Sequence, residues 1–194
     1  MKEKYHNVTI DQIIDSVYPV PAEVRVELLQ HIEEVKLPKG HLLLRADKTE
    51  TDIYFIKKGI VRAFATADAA EITFWFGREG DAIISMRSYV AREKGYEDIE
   101  LLEDCELYKL STPDLQRLYR REIHLANWGR KFAEQELIKT EERLISRQFR
   151  NATERYRELL EHNPDLIRRV SLRHIASYLG ITQVSLSRIR AGRN

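Results

Sequence analysis

Near the end of this 194-residue chain, Val184, Ser187 and Arg188, flanked by Gln183 and Arg190, have the chemistry to read the edge of a nucleic-acid base. Arginine can make two parallel hydrogen bonds to guanine, glutamine pairs similarly with adenine, and serine reaches a base or a phosphate. Their spacing gathers them on one side of a helix if Leu186 and Ile189 turn inward. Arg188 projects from the middle of that helix and is expected to read a base. Arg173, early in a preceding helix, and Arg190, at the end of this one, are expected to hold phosphates.

Such a face needs a support of two short helices meeting steeply through a turn of three or four residues. Ala176 is small enough for the backbones to approach, and Gly180 tolerates the positive φ of the turn. Thr182 is placed to cap the second helix. Ile175, Leu179, Ile181, Leu186 and Ile189 fall at the offsets that fill a small trihelical core.

Upstream, residues 122–161 lack proline and contain a single glycine, Gly129. Leu125, Trp128 and Phe132 form one stripe, and the pair Leu137/Ile138 recurs seven residues later as Leu144/Ile145, a coiled-coil-like spacing. A dimerisation helix over 122–149 is expected, although the same stripe could pack on the chain's own body. Thr112 can cap an earlier helix, with Pro113 in its first position. Between Leu37 and Ser111 the texture is β. Short apolar runs at 41–45, 52–56, 60–66, 71–76, 81–85, 99–102 and 106–110 are separated by glycine-bearing and polar turns, as in a closed or sandwiched antiparallel unit. In the 71–76 run, Ile72, Phe74 and Phe76 should face one side, and Thr73 and Trp75 the other. Residues 9–35 read as two short helices broken at Pro19 and Pro21.

The chain's net charge of +1 conceals a division. Residues 143–194 carry 11 arginines and no lysine against 4 acidic residues, whereas the remainder is net acidic, so a basic tail could meet a polyanion. No apolar run approaches a membrane span, and the start, Met1 to His6, does not resemble a secretory signal; a cytoplasmic location is expected. The single cysteine, Cys105, reads as a buried apolar residue and cannot build a disulfide or cluster alone. No nucleophile–base arrangement, His-x-x-x-His pair or phosphate-cradling glycine loop occurs, so an enzyme is not expected, nor is a cofactor.

The segments Glu154-Arg-Tyr156, Asn163-Pro164, Ile175-Ala-Ser-Tyr-Leu-Gly-Ile-Thr182 and Leu186-Ser-Arg-Ile-Arg190, with Gly59 and Gly80-Asp81 upstream, resemble the Crp/Fnr superfamily of bacterial regulators, and its compact Bacteroidetes-type members in particular. That resemblance implies an α+β chain in three parts. Residues 1–121 would be an antiparallel, cyclic-nucleotide-binding-like β-roll with N-terminal helices, 122–149 the dimerisation helix, and 150–194 a (winged) helix-turn-helix. It further implies a homodimer on palindromic double-stranded DNA that contacts RNA polymerase.

The departures from the family pattern lie in the ligand site. Members that bind cyclic AMP carry a Gly-Glu pair for the ribose and a later Arg-Ser/Thr-Ala step for the phosphate. Here Ser85, Met86, Arg87 and Ser88 occupy the first stretch, and Gly95-Tyr-Glu-Asp98 puts acids where the base should be. A phosphodiester beside Glu97 and Asp98 would meet like charge. Arg87 or Arg92 could supply an anion site from another position. Control by cyclic AMP is therefore not expected, and any small-molecule effector should be neutral or apolar. The second reading is a cyclic-nucleotide or other small-ligand sensor whose C-terminal domain serves another interaction. The iron–sulfur cysteines of other members are absent, and haem ligation by His6, His31 or His41 is left open. Any wing strands would have to come from residues 163–170, because only four residues follow Arg190.

Overall fold

The computed structural model describes residues 7–68 and 70–192. Two short helices, α1 (Ile10–Val17) and α2 (Ala22–Leu29), open it, the first held by a capping box between Thr9 and Gln12. Eight strands follow among the described residues: β1 (Ile32–Leu37), β2 (Leu42–Leu44), β3 (Asp52–Lys58), β4 (Val61–Ala67), β5 (Ala70–Gly77), β6 (Ala82–Ile83), β7 (Asp98–Leu101) and β8 (Cys105–Ser111), with α3 (Met86–Ala91) between β6 and β7. They form two four-stranded antiparallel sheets, ordered β1-β8-β3-β6 and β2-β7-β4-β5.

Alternation along β3 and β8 explains the layering, because successive side chains leave opposite faces of a strand. Tyr54, Ile56, Cys105 and Leu107 fill the space between the sheets with Val61, Ile83, Ile99 and Leu101. Ile53, Phe55, Tyr108 and Leu110 point the other way, under the helices. Those two strands are thus buried on both sides.

Helix α4 (Thr112–Arg121) carries Pro113 in its first turn, with Ser111 rather than Thr112 at the cap position. The long helix α5 (Ile123–Phe149) has two functions along its length. Leu125 and Trp128 are buried with Phe55 and α1, and the Trp128 indole donates to the Ile14 carbonyl at 3.0 Å. The first half of the helix therefore belongs to the core of its own chain. The second half carries Leu137, Ile138, Leu144, Ile145 and Phe149 uncovered. Beyond it come α6 (Ala152–His162), α7 (Pro164–Arg169), α8 (Leu172–Leu179) and α9 (Gln183–Arg190). The break before α6 is fixed by a capping box between Asn151 and Glu154.

Three expectations need correction. Residues 32–35 are not helical but begin β1, an edge strand paired with β8, Ile32 lying opposite Leu110. The simple alternation of the 71–76 run fails because Ala63 pairs with Trp75 but Phe64 with Thr73; Phe74 is the extra residue of a bulge. Phe74 and Trp75 consequently pack against one core and Phe76 against another. Residues 163–170, the segment left for any wing strands, form α7 and its two cap residues, and among the described residues no strand follows β8.

Candidate nucleic-acid interface

The C-terminal helices build a core from Tyr156, Leu159, Leu166, Val170, Ile175, Ala176, Leu179 and Leu186, which buried Ile60 of the β-roll joins. Helix α8 ends at Gly180, whose left-handed backbone (φ +67°) turns the chain sharply. Three residues later α9 begins, with the Thr182 hydroxyl accepting from the Ser185 amide at 3.1 Å. Leu186 is fully buried and Ile189 half-buried, which fixes the rotation of α9. Gln183, Val184, Ser187, Arg188 and Arg190 are consequently all exposed. The structure brings these five predicted residues onto one accessible helix, with Thr182 as its cap. An apolar Val184 that stays 62% exposed between polar neighbours suits contact with another surface.

Arg173 lies apart from them. It is exposed on α8, and its charge, secondary to a hydrogen bond from Arg62, helps hold the Glu71 carboxyl below the usual range. The reason is that α8 docks on β5, the outer strand of the second sheet. The Ser177 hydroxyl donates to the Glu71 carbonyl at 2.8 Å and accepts from the Thr73 amide at 2.9 Å, which satisfies backbone groups of an otherwise open sheet edge. Tyr178 packs on Phe76 with ring centroids 5.2 Å apart. Beneath α8, buried Arg62 bonds both Glu100 and Glu71 at 2.7 Å. His174 faces this cluster; burial first, then the charge of Arg62, pushes its imidazole pKa down. Sequence assigned none of Arg62, Ser177 or Tyr178 this docking role: Ser177 and Tyr178 meet partners about a hundred residues away, and Arg62 joins acids 9 and 38 residues away on neighbouring strands.

The expected ligand segment also divides. Ser85 and Ser88 are buried, whereas Met86 and Arg87 face solvent. Arg87 pairs with Glu93 at 2.5 Å. Ser88 accepts from the Glu50 amide at 3.1 Å and donates to the Glu93 carbonyl at 2.9 Å, so its hydroxyl is fully engaged. The Ser85 hydroxyl has no hydrogen-bond partner among the described residues. Gly95 runs so close that an added Cβ would lie 2.7 Å from it. Next to Gly95 the Glu97 carboxylate is buried and accepts the Tyr96 amide at 3.0 Å. Arg92 caps α3 in a left-handed conformation. Of the histidines named above, His31 lies 3.9 Å from Asp114, His41 is exposed before β2, and His6 is outside the described residues.

Residues 34–122 match the model of the cyclic nucleotide-binding domain. Several solved structures are similar over most of the chain. The c-di-GMP-responsive global regulator CLP of Xanthomonas campestris is 18% identical, with 89% of this chain and 91% of that one covered and a TM-score of 0.67. FixK2 of Bradyrhizobium japonicum is 19% identical, with 83% of each chain covered and a TM-score of 0.67. A Crp/Fnr-family regulator from Eubacterium rectale is 14% identical, covers 89% of this chain and 83% of its own, and gives a TM-score of 0.71. The β-roll, long helix and C-terminal helices thus have the α+β fold of Crp/Fnr regulators. Comparison with curated proteins gave no match. Among the described residues no helix is long and apolar enough to cross a membrane.

Proposed function

We propose that this protein is a sequence-specific DNA-binding transcription regulator that acts as a homodimer and is not controlled by cyclic AMP. The observation that carries the reading is α9: a helix rotated by buried Leu186 so that Gln183, Val184, Ser187 and Arg188 face outward. With α8 it makes a helix-turn-helix whose second helix enters the major groove, Arg188 reading a base while Arg190 and Arg173 follow the phosphates. The uncovered apolar residues in the second half of α5 supply the dimer seam. Two-fold symmetry then calls for a palindromic operator, and RNA polymerase is the expected protein partner. The protein works in the cytoplasm and catalyses no reaction of its own.

Cyclic AMP is rejected by charge. A buried phosphodiester needs a paired guanidinium. Arg87 instead lies at the surface with Glu93, and the buried acid near Ser85 is Glu97. One observation favours the small-ligand reading: the unpartnered, buried Ser85 hydroxyl could answer one polar group of a neutral effector.

Selection of genomic fragments by the purified protein tests the proposal, repeated with cyclic AMP and with cyclic di-GMP, the ligand class named for CLP. Enrichment of palindromic sites without either nucleotide supports it. Recovery of random fragments, or enrichment only with cyclic AMP, refutes it.

A further inference from the structure

Arg169, the last residue of α7, has a side chain only 7% exposed, although it is charged and lies between two parts of the molecule. Its two terminal nitrogens bond Glu79 at 3.0 and 2.7 Å, and it also pairs with Glu103, its Nε lying 3.3 Å from that carboxylate. Glu79 sits in the turn after β5 and Glu103 in the turn after β7. Glu79 additionally accepts the amide of Gly59, between β3 and β4, at 2.9 Å. One guanidinium therefore joins three turns at the same end of the β-roll to the base of the C-terminal helices. Beside this clasp, Ile60, Phe76 and Leu102 of the β-roll pack into the C-terminal core, and Ser177 closes on β5.

All of these contacts lie within one chain, and none requires a ligand. We infer that Arg169, clasped by Glu79 and Glu103, is a positioning residue that fixes α8 and α9 on the β-roll in a DNA-ready orientation, so that operator binding needs no effector. The inference rests on the DNA-binding reading. A dimer engages two half-sites only if its two recognition helices are held about 34 Å apart. Loss of Arg169 strands the carboxylate of nearly buried Glu79 beside that of part-exposed Glu103, and the two gain water and separation from like charge when the C-terminal helices lift away. The helices then sample many orientations, which weakens two-handed binding while leaving each α9 surface intact.

The experiment compares full-length wild type with Arg169→Met on the palindrome recovered by selection and on its isolated half-site. Hydrogen exchange at the Thr73 amide, which Ser177 accepts, reports docking without DNA. The variant is expected to raise Thr73 exchange and to lower palindrome affinity by at least about tenfold, with half-site affinity changed by less than about twofold. Adding Glu79→Gln and Glu103→Gln to the variant removes the stranded charges, keeps an acceptor for Gly59, and should restore both readouts. Faster Thr73 exchange with unchanged palindrome affinity overturns the inference. So does an equal loss on half-site and palindrome, or failure of the charge-neutral variant to recover, since either marks a lesion in the fold rather than in positioning. Wild type that binds no DNA while Thr73 stays protected fails the DNA-binding reading itself, a result distinct from failure of the clasp.

Discussion

Replacing Leu137 and Leu144 together by aspartate should convert the protein to a monomer. In the single chain Leu137 is 69% exposed, Ile138 56%, Leu144 54%, Ile145 48% and Phe149 80%. Complete burial of such a side chain stabilises by about 1.5–3 kcal/mol, so covering the half or more left open gives roughly 1–1.5 kcal/mol each. Ten of them across a two-fold seam contribute about 10–15 kcal/mol before the cost of association, itself about 4–15 kcal/mol. A seam of this size would therefore hold a dimer without much to spare. Two aspartates per chain remove four of the ten contributions, about 4–6 kcal/mol, and add four carboxylates to the seam; the dissociation constant should rise by a factor of about a thousand or more. Because both leucines are exposed in the chain, helicity should be unchanged, and circular dichroism checks that. Light scattering at micromolar concentration should give the single-chain mass. A dimer mass for a fully helical variant would show that the contact surface lies elsewhere.

Arg188→Ala should lower operator affinity by about 1–3 kcal/mol and relax preference at one position in each half-site, whereas Arg173→Ala should weaken all sequences alike and reduce the salt slope by about one; binding series on operator variants at several salt concentrations would expose an exchange of these roles. Calorimetric titration with cyclic AMP should give no binding heat, and a micromolar dissociation constant would contradict the charge argument built on Glu97 and Arg87. His174 gives a pH dependence of definite sign. Its folded-state pKa lies below the ordinary 6.5, so as the pH falls through that value the unfolded chain takes up the proton first and stability declines. His174→Gln should therefore lose less melting temperature than wild type between about pH 7.5 and 5.5, and parallel losses would discard the assignment.

Much of the local geometry of the candidate interface was legible because it is written in short-range pattern. Thr182 caps at i to i+3, Gly180 supplies one left-handed residue, and the buried Leu186 sets the rotation of the remaining α9 residues; each is a relation within one or two helical turns. The capping box of Asn151 and Glu154 is equally local, although an unbroken helix to Glu161 also suited the composition. The apolar pairs of α5 marked a surface in need of cover, yet their spacing could not say that Trp128 and Phe132 would turn into the chain's own core while Leu137 and Leu144 stayed out.

Tertiary structure alone decided the rest. The Ile32–Leu37 segment becomes a strand because β8, more than 60 residues onward, offers its edge; nothing local distinguishes it from the end of a helix. The bulge at Phe74 depends on register with β4, and it sends Phe76 toward Tyr178. Ser85 and Ser88 look alike in sequence, but the path of residues 93–97 satisfies one hydroxyl and strands the other. Glu79, Glu103 and Arg169 are three ordinary charges until two β turns and the end of α7 converge. Hydrogen bonds and periodicity within a helix are set by neighbours in the chain, so sequence records them. Charge pairing, sheet register and the docking of α8 on β5 are set by which distant surfaces exclude water together, and only the folded chain fixes that.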